Sequence, residues 1–150
     1  MELICAACGK GRIVPSSAPG RRFRYQMMPA LEVPATLALP TCERCGELWL
    51  DARAARKLET ALRQVHAREL ATRAERALRV LTARYPNHEL ELLLGVPKGS
   101  LSRLAKSRAP SAALVGLLML LAEEPSRVAE LRSLWEARPR KPARVSKASK

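Results

Sequence analysis

The period of hydrophobic and polar positions changes along the chain and divides it into segments of different structure. Near the N-terminus, apolar and polar residues alternate over Arg22–Met27 and again over Leu31–Leu39. A period of two is typical of β-strands. Pro34 lies within the second run, so we expect an edge strand or a break there. Turn-forming residues surround both runs, and we therefore predict a small β module with little core of its own over residues 1–50.

From Asp51 the pattern becomes helical. Neither Gly nor Pro occurs between Asp51 and Pro86, and Ala, Leu, Arg and Glu dominate the segment. Asp51 has a side chain that suits an N-cap, and three Glu–Arg pairs at i,i+4 spacing favour a helix. The apolar stripe loses register near His66–Leu70, so one long helix and two helices joined by a bend are both compatible with the sequence. We predict a helical arm over residues 51–86.

After Pro86 the apolar spacing predicts short helices separated by turn signals. They are expected at Glu89–Leu94, Pro97–Lys106, Ser111–Glu124 and Ser126–Ala137. The third is apolar almost all round, which predicts a homodimer interface as well as an internal core. We expect an all-α domain over residues 87–137. Residues 138–150 contain six basic and no acidic side chains and are expected to be a disordered basic tail. The predicted fold class is therefore α+β.

The charge of the chain favours a polyanionic partner. The 150 residues include 27 Lys and Arg against 14 Asp and Glu, for a formal net charge of +13. The predicted arm has nine basic and four acidic side chains, whereas residues 87–137 have six of each. A positive field attracts nucleic acid without reading its sequence. Aromatic residues make up only 3 %, which argues against a base-stacking surface for single strands.

The four cysteines form two C-x-x-C-G motifs, at Cys5–Gly9 and Cys42–Gly46. Tetrahedral zinc binds four thiolates, and a two-residue spacer lets one tight turn supply two of them. We therefore predict one structural Zn²⁺ held by Cys5, Cys8, Cys42 and Cys45. Four protein ligands leave no open position for water, so we do not expect an enzyme. His66 and His88 are not spaced to join this site and are expected at the surface or at helix ends.

Two other roles for the cysteines have less support. Disulfides are typical of secreted proteins, and the N-terminus lacks the basic start of a signal peptide. A redox C-x-x-C needs only one such motif, at a strand-to-helix junction.

The segment Gly95–Leu104 has the pattern of a helix-turn-helix. A short helix would end at Gly95, and Leu101 and Leu104 of the next helix would point into the core. The candidate DNA-binding residues are Lys98, Gly99, Ser100, Ser102, Arg103, Lys106 and Arg108. Arginine can bind guanine through two hydrogen bonds, while serine and lysine suit phosphates. The alternative is an ordinary helical hairpin with a solvated basic face.

Taken together, these motifs resemble the MqsA-type antitoxins with their YgiT-type zinc finger. The resemblance rests on CxxCG, CxxCGELWLD, LLLGVPKGSLSRLAKSRAPS and EEPSRVAELRS, in that order. It implies an N-terminal zinc domain that blocks an mRNA-cleaving toxin, and a C-terminal Cro/repressor-like helix-turn-helix domain that dimerises and binds a palindromic operator. Arg103 corresponds to the family's base-reading arginine, and the four cysteines to its zinc ligands. Gly99 stands where one member of the family has Asn, so the operator sequence is not carried over.

We therefore expect a cytoplasmic, non-enzymatic antitoxin and autorepressor. Its expected partners are a toxin of the mRNA interferase type, palindromic double-stranded DNA and a second copy of the chain. A membrane partner is not expected, because the longest apolar stretch, Ala112–Ala122, is far shorter than the ~20 residues of a transmembrane helix. The main alternative is a stand-alone zinc-stabilised helix-turn-helix regulator without a toxin. A thiol redox enzyme and an RNA- or ribosome-associated zinc protein are further alternatives.

Overall fold

The computed structural model describes residues 3–104, 106–107 and 109–136. Within them a small N-terminal β region precedes a series of helices, so the chain is α+β. The elements are β1 (Ile13–Ser16), β2 (Arg22–Tyr25), β3 (Met28–Glu32), β4 (Leu39–Cys42), α1 (Ala52–Thr82), α2 (Asn87–Leu93), α3 (Ser100–Leu104), α4 (Ala112–Glu123) and α5 (Arg127–Glu136). The predicted basic tail, Ala137 and Arg108 lie outside the described residues.

The β region consists of two nested antiparallel pairs. β1 pairs with β4, with Ile13 opposite Cys42, and the β2–β3 hairpin lies between them in sequence. Of the two outcomes expected for the run Leu31–Leu39, an edge strand or a break at Pro34, the structure has the break: β3 ends at Glu32 and Leu39 begins β4. Pro34 accounts for the break. It has no N–H to give to a ladder, and its carbonyl accepts a hydrogen bond from the Leu37 N–H in a turn.

α1 is a single helix of 31 residues, which decides between the two arrangements left open by the sequence. It begins as predicted, with Ala54 N donating to Asp51 Oδ1 at 2.6 Å. Its buried residues are Ala54, Leu58, Leu62, His66, Leu70, Ala74, Ala77 and Leu81. His66 occupies the place where the apolar stripe appeared to lose register. Its expected surface position is therefore wrong: it is 8 % exposed, and its ring meets Tyr25 edge-on.

The buried stripe of α1 winds around the helix. A spacing of four residues advances about 40° around an α-helix, so the buried side turns steadily from Ala54 to Ala74. Tyr25 of β2 contacts α1 at Glu59 and His66, whereas α4 lies beside the later part of the helix, where Ala77 and Met119 line the same groove. Buried residues of the β region, among them Met28 and Leu31, consequently belong to one core with those of the helices.

α4 and α5 each leave an apolar side exposed. Ser111 caps α4 by accepting a hydrogen bond from Leu114 N, and Val115, Leu118 and Leu121 are buried. Leu117 and Leu120 are exposed, so burial all round α4 is not achieved within one chain. On α5, Val128 is buried whereas Leu134 and Trp135 are exposed. Within the described ranges, no helix combines the length and apolar character needed to cross a bilayer.

Candidate functional site

The four cysteines meet at one end of the β1–β4 pair. Their sulfur atoms all lie within 4.8 Å of one another. The Sγ atoms of Cys5 and Cys45 are 3.7 Å apart, as are those of Cys8 and Cys42. The first two cysteines precede β1, and the other two lie at and beyond the end of β4. Pairing of β1 with β4 therefore brings together two motifs that are far apart in sequence.

Each C-x-x-C motif closes as a tight turn that ends in glycine. Gly9 N donates to the Cys5 carbonyl at 2.8 Å, and Gly46 N donates to the Cys42 carbonyl at 3.0 Å. Gly9 has a φ of 65° and Gly46 a φ of 75°. This left-handed conformation is readily adopted by glycine, as expected for the residue after each second cysteine. The turns let each motif direct two sulfurs into one cluster.

The environment of the thiols suits bound thiolates. Backbone N–H groups of Lys10 and Gly11 lower the pKa of Cys8 to about 6, and those of Cys45 and Arg44 lower the pKa of Cys42. For Cys45, a hydrogen bond from the Glu47 backbone favours the thiolate. The neighbouring thiols and burial outweigh it and raise the pKa of Cys45 to about 12.

These opposite shifts follow from crowding. Four sulfurs within 4.8 Å cannot all become negative unless a cation lies among them. A divalent cation would make the fully ionised state favourable, since coordinating thiols lose their protons. Four thiolates with backbone donors around them form a donor set that fits a single tetrahedral ion such as structural zinc.

Gly11 is a functional position that the motif search missed. A Cβ built on Gly11 would overlap Cys42 Sγ and lie 2.8 Å from the Cβ of Arg44. Gly11 N also donates to Cys8 Sγ at 3.4 Å. Its φ is not positive, in contrast to that of Gly9. Glycine is therefore needed at this position because it has no side chain, and not because of its backbone conformation. The available signal was a second glycine two residues after the first C-x-x-C-G motif.

Replacing Gly11 with alanine is expected to weaken metal binding at least tenfold, because the new methyl group must displace the Cys42 sulfur. Competition with a chromogenic zinc chelator measures this change. Gly116→Ala is the matched control, since a Cβ at Gly116 meets nothing within 4 Å and alanine favours the helix. Equal zinc affinities for the two variants would contradict the proposed crowding at Gly11.

A second candidate site is the turn between α2 and α3. α2 ends as predicted at Gly95, which has a φ of 65°. Gly95 N donates to the Leu92 carbonyl and Val96 N to the Glu91 carbonyl, the pair of bonds found at many helix C-termini. The predicted helix over Pro97–Lys106 is too long, since α3 spans only Ser100–Leu104. Gly99 explains its late start, because a φ of 79° lies outside the helical region.

The residues predicted to bind DNA have different exposures around this turn. Lys98, Ser102, Arg103 and Lys106 are exposed, Gly99 and Ser100 are partly buried, and Arg108 lies outside the described residues. Leu101 and Leu104 are buried, as expected. Arg103 Nη2 donates to the Lys98 carbonyl at 3.4 Å, and its guanidinium lies over Gly99. The hydroxyl of Ser102 accepts a hydrogen bond from Asn87 Nδ2.

Glu91 holds the start of α3 in place, and the sequence search missed this role. Its side chain is 4 % exposed although it carries a carboxylate. The carboxylate accepts a hydrogen bond from Leu101 N at 3.1 Å. Backbone hydrogen bonds from Gly99 and Leu101 lower the pKa of Glu91, and the positive charges of Arg103 and Lys98 add to the effect. The signal in the sequence was a single acid within the apolar run Leu90–Leu94.

Comparison with known proteins adds no relative to this picture. None of the protein-family models matches the chain, and the search of curated proteins also finds no match. The likeness to MqsA-type antitoxins therefore depends only on the sequence motifs quoted above, in the cysteine turns, the α2–α3 segment and the stretch 123–133.

Proposed function

We propose that the chain is the antitoxin of a type II toxin–antitoxin pair. Its N-terminal module neutralises an mRNA-cleaving toxin, and its α2–α3 unit represses transcription of the shared operon. The observation that carries the proposal is that one chain contains both a four-thiol cluster and a turn-linked pair of helices, α2 and α3. The single long helix α1 lies between them in sequence. The order of these parts is the order implied by the MqsA-type resemblance.

In this proposal Cys5, Cys8, Cys42 and Cys45 hold one structural Zn²⁺. The bound ion supplies positive charge that keeps all four thiols ionised. The residues around it provide the remaining stabilisation: Gly11 N and Arg44 N donate to sulfur, at 3.4 Å each. Because four sulfurs complete a tetrahedral shell, no position remains for substrate or water. The role of the metal is therefore to fold the module.

Exposed apolar side chains beside the cluster support a protein partner for this module. Leu3 and Ile4 lie beside the start of β1, where Ile4 pairs with Arg12, and both are exposed. At the other edge, Leu48 pairs with Thr41 of β4, and the adjacent Trp49 and Leu50 are exposed. Exposed apolar side chains at the edges of a small module are characteristic of protein interfaces. We assign these two edges to toxin binding.

The α2–α3 unit acts as the DNA reader in this proposal. Glu91 fixes the first turn of α3, and Arg103 is available to bind guanine O6 and N7 once it leaves the Lys98 carbonyl. Lys98 and Lys106 are placed to contact phosphates. The exposed apolar sides of α4 and α5 support a homodimer. Two readers related by a two-fold axis would bind half-sites about 10 bp apart.

The DNA-binding part of the proposal is tested with Arg103→Ala. This variant is expected to lose about 1–3 kcal/mol of discrimination between the operator and an unrelated duplex, because one base contact disappears. Fluorescence anisotropy with the two duplexes measures the ratio of affinities. Arg79→Ala removes an equal charge from α1 and should leave that ratio unchanged. A wild-type ratio of one would disprove sequence-specific repression.

The toxin-binding part is tested by co-purification with the product of the neighbouring gene. The wild-type chain should retain a small ribonuclease and suppress its cleavage of mRNA. If sequence-specific DNA binding persists while no toxin is retained, the chain is instead a stand-alone zinc-stabilised regulator.

A further inference from the structure

The basic residues of α1 fall into two classes. Arg63, Arg73 and Arg79 each pair with the glutamate four residues earlier, at 3.6, 2.8 and 3.3 Å. In the part of the chain that the structure describes, the other basic side chains of α1 make no ion pair and no hydrogen bond. They are Arg53, Arg56, Lys57, Arg68 and Arg76. The net positive charge of the helix is therefore concentrated in this second class.

Most of these unpaired residues lie on one side of the helix. With about 100° per residue, Arg53, Lys57 and Arg68 fall within about 60° of one another around the axis, and Gln64 falls between them. All four are exposed. The rise of about 1.5 Å per residue places Arg53 and Arg68 roughly 22 Å apart along the helix. The buried residues Leu58 and Leu62 lie on a different side. We call Arg53, Lys57 and Arg68 the basic face of α1.

At its N-terminal end the basic face borders a shallow groove of about 420 Å³. The groove is formed by α1 and the loop that carries Leu37. It is lined by Leu37, Arg53, Arg56, Lys57, Thr60, Ala61 and Gln64, with no acidic side chain among them. Three cations beside hydroxyl and amide groups favour an anionic ligand with several oxygen acceptors.

We propose that the basic face of α1 binds the phosphate backbone of duplex DNA, as a contact separate from the α3 reader. This inference extends the proposed function by adding a contact that is independent of sequence. As one uninterrupted helix, α1 presents these cations at the fixed spacing of helical geometry. Binding breaks no existing ion pair, because these side chains have none among the described residues. Apart from buried His66, α1 contains no aromatic ring, so it offers no surface on which single-stranded bases could stack.

The test compares two triple variants of the full-length, zinc-loaded chain. Arg53→Gln, Lys57→Gln and Arg68→Gln together remove three charges from the basic face. Arg63→Gln, Arg73→Gln and Arg79→Gln together remove three charges from the paired class of the same helix. The change in net charge is equal, so a difference between the variants reports local contact rather than the overall field. All six positions are at the surface or partly buried, and circular dichroism verifies that both variants are helical.

Binding to a random-sequence duplex is measured by fluorescence anisotropy over a range of salt concentrations. Each phosphate contact contributes about 0.9 to the slope of log affinity against log salt. The basic-face variant should therefore lose about 2–3 from the slope and at least tenfold in affinity at low salt. The paired-class variant should lose less than 1 from the slope. Equal losses, or no loss, in the two variants would overturn the proposal.

Two further measurements separate this proposal from its rivals. The ratio of operator to random-duplex affinity should be the same in the basic-face variant and the wild type. If the wild type has no operator preference, the repressor proposal fails while the slope comparison still decides the phosphate contact. A single-stranded RNA of equal length should bind more weakly than the duplex. Stronger RNA binding that is lost in the basic-face variant would assign the surface to RNA. Loss of toxin binding with an unchanged salt slope would assign it to an acidic protein.

Discussion

Removal of the proposed zinc ion, or the substitution Cys42→Ser, is expected to unfold the N-terminal module while the helices after it remain folded. β1 to β4 are only four or five residues long, and such short pairs do not persist alone in water. We therefore expect the closure of β1 against β4 to depend on the metal that the adjacent cysteine cluster is proposed to hold. In general, a structural zinc site contributes on the order of 10 kcal/mol, and this binding energy appears as folding energy. The loss of structure should therefore be complete rather than partial.

Backbone NMR resolves the two parts of the chain separately. Chelation should collapse the amide dispersion of residues 3–50, whereas α4 and the C-terminal half of α1 should keep theirs because Val115, Leu118 and Leu121 remain buried. The N-terminal half of α1 should exchange amide protons faster, since Leu58 and Leu62 lose their cover. Zinc should restore the wild type but not Cys42→Ser. Unchanged spectra for residues 3–50 in metal-free protein would contradict a structural role for the metal.

The substitution Glu91→Ala is expected to disrupt the α2–α3 unit more than any substitution on its surface. It leaves the N–H groups of Gly99 and Leu101 without their carboxylate acceptor in a buried place, which is costly. We expect a fall in the thermal midpoint on the order of 5 °C, together with reduced operator discrimination. Glu91→Gln, which keeps one acceptor oxygen, should have an intermediate effect. Glu130→Ala on the exposed side of α5 is the control and should change neither quantity.

The effect of Glu91→Ala should also depend on pH. Hydrogen bonds from Gly99 and Leu101 lower the pKa of Glu91 in the folded chain. Its contribution to stability is therefore fully present above the ordinary pKa of glutamate and is lost as the pH falls through the lowered value. The difference in midpoint between wild type and Glu91→Ala should shrink across that acidic range and stay constant at higher pH. A difference that is independent of pH would show that the carboxylate charge is not involved.

The local features of the fold were predictable because neighbouring residues decide them. The Asp51 cap, the end of α2 at Gly95 and the two cysteine turns each depend on a few consecutive residues. The pairing of β1 with β4 was missed because it joins segments that are distant in sequence, and no alternation marks Leu39–Cys42 as a strand. The paired strands lie next to the cysteine cluster, which joins the same two distant segments. Pairing between segments that are distant in sequence leaves no periodic pattern of hydrophobic and polar residues.

In the candidate sites, too, the features set by neighbouring residues were predictable and those set by distant residues were not. The four ligand positions follow from motif spacing, whereas Gly11 and Glu91 matter only because of what lies next to them in space. His66 was misplaced for a related reason. A polar side chain in an apolar stripe looks like an interruption, yet here it continues the four-residue spacing between Leu62 and Leu70. Its Nε2 has no hydrogen-bond partner among the described residues. We therefore attribute the inward position of His66 to burial of its ring and not to a hydrogen bond of Nε2.

Because its buried stripe winds around the axis, α1 sets the angle between the surface that contacts the β region and the surface that contacts α4. From Ala54 to Ala74 the buried stripe turns through about 200°, so the β region and α4 contact α1 at different angles around its axis. The angle between these two contact surfaces depends on the number of residues of α1 that separate them, because each residue adds about 100°. An insertion of one residue near His66 would rotate one end against the other by about 100°, whereas an insertion of four would rotate it by only about 40°. Length and orientation are therefore specified together by a single run of sequence.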